Sequence, residues 1–241
     1  MDNLLGEFLG TMFLIILGDG VVANVLLKKS KGENAGWIVI TTGWAMAVMV
    51  GVFVAISAGA PQADINPAVT IGKWLVLGVY TPVQALATML IQVVGAFFGA
   101  IIVWLIYFNH WGPTEDAGLK LAVFSTGPAI KNPIWNSVTE ILGTMVLLIG
   151  VGAIFSGATA GAPASGLGPF LVGALVWGIG LSLGGPTGYA INPARDLGPR
   201  IAHQLLPIAG KGGSGWDYGW IPAIMPLIGG VLGALVWNLV F

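Results

Sequence analysis

Apolar residues in this chain run in long blocks rather than in strict alternation. Blocks at 4–27, 37–60, 82–108, 134–155, 169–185 and 220–241 are each bounded by proline, glycine or charge. A helix needs about 20 mostly apolar residues to cross a bilayer, so the pattern predicts six membrane-spanning helices. Two further segments, 65–77 and 191–206, are apolar but too short to cross. Near the start of each stands an Asn-Pro-Ala triplet: Asn66, Pro67 and Ala68 in one, Asn192, Pro193 and Ala194 in the other. Proline is tolerated in the first turn of a helix, and the asparagine before it is a good N-cap, so both triplets read as helix starts. A helix that starts at membrane depth leaves N–H groups unpaired and follows an irregular approach segment. Such backbone survives only inside protein or along a wet cavity. The inference is two half-helices lining a water-filled path.

The halves of the chain also resemble each other. Glu7-Phe-Leu-Gly-Thr-Met recurs 133 positions later as Glu140-Ile-Leu-Gly-Thr-Met, and the Asn-Pro-Ala triplet recurs 126 positions later. Two matches in the same order imply a duplicated unit. Three spans per unit start the second copy on the opposite face of the membrane, so the repeats are inverted and their half-helices meet near the midplane. The expected organisation is a single channel domain over 1–241, with a first repeat at 1–108, a connecting loop at 109–133 and a second repeat at 134–241. Shorter loops are expected at 157–168 and 205–219.

Composition narrows the class. Hydrophobic residues make up 56% of the chain and charged residues only 8%, far below the roughly one quarter usual for soluble domains. A net charge of -1, with no basic cluster beyond Lys28, Lys29 and Lys31, excludes nucleic acid as a partner. The absence of cysteine removes thiolate chemistry and disulfides. The acidic start, MDNLLGEFLG, is unlike a signal peptide, so the first span is expected to be retained. His110 and His203 are isolated, no carboxylates have ligand spacing on one helix, and no nucleophile set or phosphate loop appears. No metal, no cofactor and no enzymatic activity are therefore expected.

Charges inside spans need a reason. Glu7 and Glu140 are placed as structural buried acids that accept backbone N–H groups from the segments leading to the half-helices. Asp19 has no counterpart in the second half, where Gly152 stands, and is a candidate vestibule residue. Trp104, Trp111 and Trp220 read as interfacial belt residues.

Asn66-Pro67-Ala68-Val69-Thr70 and Asn192-Pro193-Ala194-Arg195-Asp196, each in the short segment of a duplicated three-span unit, resemble the aquaporin (major intrinsic protein) family across essentially the whole chain. The resemblance implies an all-α membrane protein of six tilted helices and two re-entrant half-helices, a pore through each subunit and a homotetramer in the plasma membrane. Asp196, Arg200 and the Pro226-Leu227 pair are similar to the glycerol-facilitator (aquaglyceroporin) branch. By the same resemblance the selectivity filter is Trp44, Gly180, Tyr189 and Arg195. Gly180 stands where water channels place a histidine, which leaves the filter wider. The carbonyls of Ala63, Asp64, Ile65, Gly188, Tyr189 and Ala190 are expected to line the pore. Trp44 and Tyr189 would face the carbon edge of a polyol and Arg195 its hydroxyls. The two half-helix N-termini and Arg195 would exclude cations and protons, as in aquaporin-type pores generally.

Two positions depart from the branch. Tyr189 replaces a phenylalanine, and Asp64 stands where the family has histidine. Asp64 is either a carboxylate at the approach that repels anions or a structural acceptor. The expected function is passive passage of glycerol, water and other small uncharged solutes, with dihydroxyacetone, urea and protonated lactic acid left open. The alternatives are a water-selective channel and an ion-coupled secondary transporter, which also uses inverted repeats and broken helices. The family places both termini in the cytoplasm. That puts Lys28, Lys29, Lys31, Lys120, Lys131 and Lys211 outside and Lys73 inside, against the usual loop bias.

Overall fold

The computed structural model describes residues 2–157 and 166–241. Helices are the only regular structure among them: α1 (Leu4–Leu26), α2 (Trp37–Ser57), α3 (Pro67–Leu75), α4 (Pro82–Ile106), α5 (Ala117–Phe124), α6 (Pro133–Phe155), α7 (Leu167–Leu183), α8 (Pro193–Leu205) and α9 (Trp216–Val240). Five of these, α1, α2, α4, α6 and α9, are long and apolar enough to cross a membrane. Helix α7, with 17 residues, sits at the short end of the spanning range. The connection expected at 157–168 falls largely at 158–165, outside the described residues.

Two elements differ from the sequence expectation. The loop expected at 109–133 contains α5, capped by Asp116, whose carboxylate accepts the N–H groups of Gly118 (2.7 Å) and Leu119 (3.2 Å). Helix α9 begins at Trp216 rather than 220 and keeps both Pro222 and Pro226 inside it. Trp111 is not an interfacial residue: it is buried, stacked on Phe124 of α5, and donates its indole N–H to the Trp104 carbonyl at 3.0 Å. With α5 unseen, that partner is invisible in the sequence.

The packing follows the repeat. Helix α1 packs on α2 and α4, α6 packs on α7 and α9, and α2 meets α7 between the halves. The half-helices cross over, α3 lying against α9 and α8 against α4. Glycines set these distances, because small residues let backbones approach where lipid offers no hydrophobic drive between helices. A Cβ on Gly72 of α3 would stand 2.8 Å from the Gly230 carbonyl of α9, and one on Gly198 of α8 would stand 2.7 Å from the Val93 carbonyl of α4. The two sites are related by the same 126-residue step as the Asn-Pro-Ala triplets.

The loops beside the long helices are tied down by charge. Asp196 and Arg200 form a buried ion pair on α8, with Nε to Oδ1 at 2.8 Å. Arg200 also donates to the carbonyls of Thr126, Ser214 and Gly215, while Asp196 accepts the N–H and hydroxyl of Thr126 at 2.7 Å each. With Nη2 also donating to Asp196 Oδ2 at 3.0 Å, all five guanidinium N–H groups are used. Lys211 caps the carbonyl end of α8 at the His203, Gln204 and Leu206 carbonyls, each 2.7 Å away. In the α1–α2 connection Lys28 pairs with Glu33 at 2.8 Å, which holds the Glu33 carboxyl below its ordinary range.

Candidate functional site: a cavity through the helix bundle

Both short helices begin as their first residues dictate. Asn66 is extended and its side-chain oxygen accepts the Ala68 N–H at 2.8 Å, with Pro67 in the first turn. Asn192 does the same for Ala194 (3.0 Å) and Arg195 (3.3 Å), with Pro193 following. Each cap also reaches across the repeat axis. Asn66 Nδ2 donates to the Ile191 carbonyl and Asn192 Nδ2 to the Ile65 carbonyl, both at 2.9 Å. The two helix starts are thus fastened directly to each other.

The segments leading into them carry unusual backbone. Ala63, Ile65, Tyr189 and Ile191 all have φ between 41° and 44°, in the left-handed region. For non-glycine residues this costs of order 1–3 kcal/mol each. The offset lies in the buried glutamates. Glu7 accepts the N–H groups of Asp64 and Ile65, both at 2.8 Å, and the Gln92 amide at 2.8 Å. Glu140 accepts those of Ala190 (3.0 Å) and Ile191 (2.9 Å). Hydrogen bonds to a charged group contribute about 1.5–3 kcal/mol each, enough to balance the strain. With the N–H groups of Asp64, Ile65, Ala190 and Ile191 turned back to the glutamates, residues 63–65 and 189–191 lie on the wall of a cavity of about 370 Å³.

The rest of that wall comes from helix stripes. On α2, Trp44, Val48, Val52 and Ile56 recur every fourth residue and so share one face, running about 18 Å along the axis. Leu147, Val151 and Phe155 do the same on α6, and Gly168, Val172 and Val176 on α7. Most of the lining is aliphatic, interrupted by polar groups at three levels. One level is Asn66 and Asn192.

A second lies near the start of α2 and the end of α7. There the Arg195 guanidinium carbon sits 4.1 Å from the Trp44 ring centroid. Arg195 Nη1 and the Tyr189 hydroxyl are buried and have no protein hydrogen-bond partner. Tyr189 is held edge-on by Trp37, with centroids 5.8 Å apart and planes at 80°, and the Trp37 indole N–H donates to the Gly180 carbonyl at 3.1 Å. Trp37 was not singled out by sequence, and its place at the first turn of α2, about two helix turns from Trp44, was the available signal.

Gly180 and Gly188 depart from their expected places. Neither is on the cavity wall. A Cβ on Gly180 would stand 2.8 Å from Tyr189 Cζ and 3.0 Å from its hydroxyl, so this glycine makes room for the tyrosine ring rather than opening directly onto the cavity. Gly188 has φ of 81° and packs beside Thr126. Asp19 is likewise off the wall. It is wholly buried in α1, neither of its oxygens has a protein partner, and it is not a vestibule residue.

The third polar level lies toward the opposite end, where α2 and α6 finish and α7 begins, and it contains Gln62, Asp64 and Lys73. Asp64 is a structural acceptor: its carboxylate takes the hydroxyls of Thr70 (2.9 Å) and Tyr80 (2.8 Å) and the ammonium of Lys73 (2.5 Å). In the sequence Lys73 stands out only as a charge on the inner side of the membrane. Its position as the single charge in α3, nine residues after Asp64, was the clue. Among the described residues no three His, Asp or Glu side chains converge in a way that would hold a metal ion.

Comparison with known proteins adds to this geometry. Residues 1–237 match the sequence model of the family described as Major intrinsic protein. The chain is 58% identical over 241 residues, the full length of both proteins, to a probable glycerol uptake facilitator protein of Thermotoga maritima. It is 53% identical to the glycerol uptake facilitator protein of Streptococcus pneumoniae, covering 99% of each chain. Its fold is similar to the X-ray structure of the aquaglyceroporin from Plasmodium falciparum, with a TM-score of 0.86 and 26% identity over 99% of this chain and 96% of that one.

Proposed function

This chain belongs to the major intrinsic protein family, and from that premise we propose that it is a passive channel for glycerol and other small uncharged solutes. The single observation that carries the reading is the second polar level of the cavity. There an arginine with a free buried donor, Nη1, lies against a tryptophan face, beside a tyrosine hydroxyl that also lacks a protein partner. A buried donor without a partner forfeits about 1–3 kcal/mol, so a solute that supplies an acceptor there is favoured over an empty site. A polyol fits on both counts. Its hydroxyls satisfy Arg195 and Tyr189, and its C–H edge lies on Trp44 and the aliphatic stripes of α2, α6 and α7.

At the centre, Asn66 and Asn192 stand where two helix N-termini converge, each bringing roughly half a positive elementary charge. Together with Arg195 this makes passage costly for cations and protons, as in aquaporin-type pores generally. In this reading the solute is passed and not altered, and it leaves as it entered. We further assign the chain to the plasma membrane as a homotetramer with one pore per subunit, both termini facing the cytoplasm.

Stopped-flow light scattering on proteoliposomes given an inward glycerol gradient tests the reading. Protein-dependent reswelling faster than in empty vesicles is expected. Fast shrinkage followed by reswelling no faster than in empty vesicles would make the channel water-selective, and solute accumulation driven by an ion gradient would make it a transporter.

A further inference from the structure

The third polar level of the cavity has no role in the reading so far. Lys73 enters it from the last turn of α3, and all three of its N–H groups are engaged: Asp64 Oδ1 at 2.5 Å, Gln62 Oε1 at 3.0 Å and the Gln62 carbonyl at 3.3 Å. The Asp64 side chain is wholly buried, while that of Lys73 keeps 9% exposure and belongs to the cavity lining. The anion is therefore sealed into the wall and the cation lies between the wall and the lumen. Asp64 is itself immobilised. Thr70 and Tyr80 hold its second oxygen, and Glu7 holds its backbone N–H at 2.8 Å. A flexible four-carbon side chain is thus moored to one of the most constrained carboxylates in the protein.

We propose that Asp64 is a positioning residue whose task is to keep the Lys73 ammonium out of the solute path. Without the charge of the carboxylate, Lys73 keeps only neutral acceptors, Gln62 among them, and an uncompensated charge near the interior is costly. A lysine escapes that cost by extending its stem until the ammonium meets water. The nearest water is the lumen, because the side chain already forms part of its wall. There the ammonium and its hydration shell narrow a passage that is otherwise bordered on this level by Ile56, Pro61 and Phe155. The pair thus sets the free width of the mouth opposite Arg195, and among the described lining residues no second carboxylate is present to moor the lysine.

The inference rests on the channel reading, and wild-type glycerol reswelling is scored first so that failure of that reading is seen separately. Glycerol reswelling is then compared for Asp64→Asn and for the double variant Asp64→Asn with Lys73→Met, each reconstituted from monodisperse protein. Asp64→Asn is expected to slow reswelling at least fivefold, and the double variant to recover it to within twofold of wild type. A wild-type rate in Asp64→Asn overturns the proposal. So does a double variant as slow as the single one, since Asp64 would then be serving the fold alone. If Asp64→Asn does not yield monodisperse protein, Asp64→Ser is read with the same Lys73→Met partner and the same criteria.

Discussion

Two carboxylates decide whether the left-handed segments at 63–65 and 189–191 can exist. Glu140 is wholly buried and presents one oxygen to each of two successive backbone N–H groups. In Glu140→Gln one of those oxygens becomes an amide donor facing another donor. The expected cost is about 2–3 kcal/mol, the penalty for a buried mismatched group, read as a lower melting temperature in detergent together with reduced glycerol reswelling. Glu7 and Glu140 were legible in the sequence because each recurs at the same place in a duplicated motif. The asparagine caps were legible for a more local reason: Asn followed by Pro is a helix start wherever it stands. Lys73 was not, because its pairing with Asp64 depends on how the chain turns between residues 61 and 67, and no periodicity records that turn. Gly180 stands out in the sequence only through resemblance, and the three-dimensional packing alone reveals that the space beside it is filled by the ring of Tyr189.

Among the elements, the long helices announced themselves by length and hydropathy, with ends within a few residues of the structure except at the start of α9. There the glycine-rich stretch before Trp220 reads as loop, yet the helix continues back to Trp216. Helix α5 escaped notice because eight residues are too few for an apolar period to stand out, although Asp116 is a sound cap in retrospect. Contacts between elements are governed by glycine, and Gly198 gives a test in which two effects oppose. Alanine is the better helix former by about 1 kcal/mol. Its Cβ, however, would stand 2.7 Å from both the Val93 carbonyl and the Ala96 side chain of α4, where backbone cannot yield. Overpacking of this kind costs about 1–3 kcal/mol. Gly198→Ala is therefore expected to lower the melting temperature despite its higher propensity, and a rise would mean that α8 and α4 are not as close as described.

For the whole molecule, four of the six lysines that oppose the usual loop bias are structural ties. Lys28 and Lys131 pair with Glu33 and Asp217, Lys211 caps α8, and Lys120 is buried with its ammonium on the Ala209 carbonyl. The proposed cytoplasmic placement of both termini is therefore tested directly rather than by a count of loop charges. An epitope tag at the C-terminus is accordingly expected to react with antibody only after cells are permeabilised, and labelling of intact cells would reverse the assignment. The crossover of the half-helices bears on how the chain is made. Helix α3 leaves the ribosome about 140 residues before α9, the helix it packs against. At 5–20 residues per second it waits on the order of 10 s for its partner. During that interval a nine-residue helix too short to cross the membrane has no finished wall to rest on. The nascent chain must therefore be sheltered until its last helix is synthesised, and a ribosome that stalls anywhere before Trp216 leaves a product that cannot close.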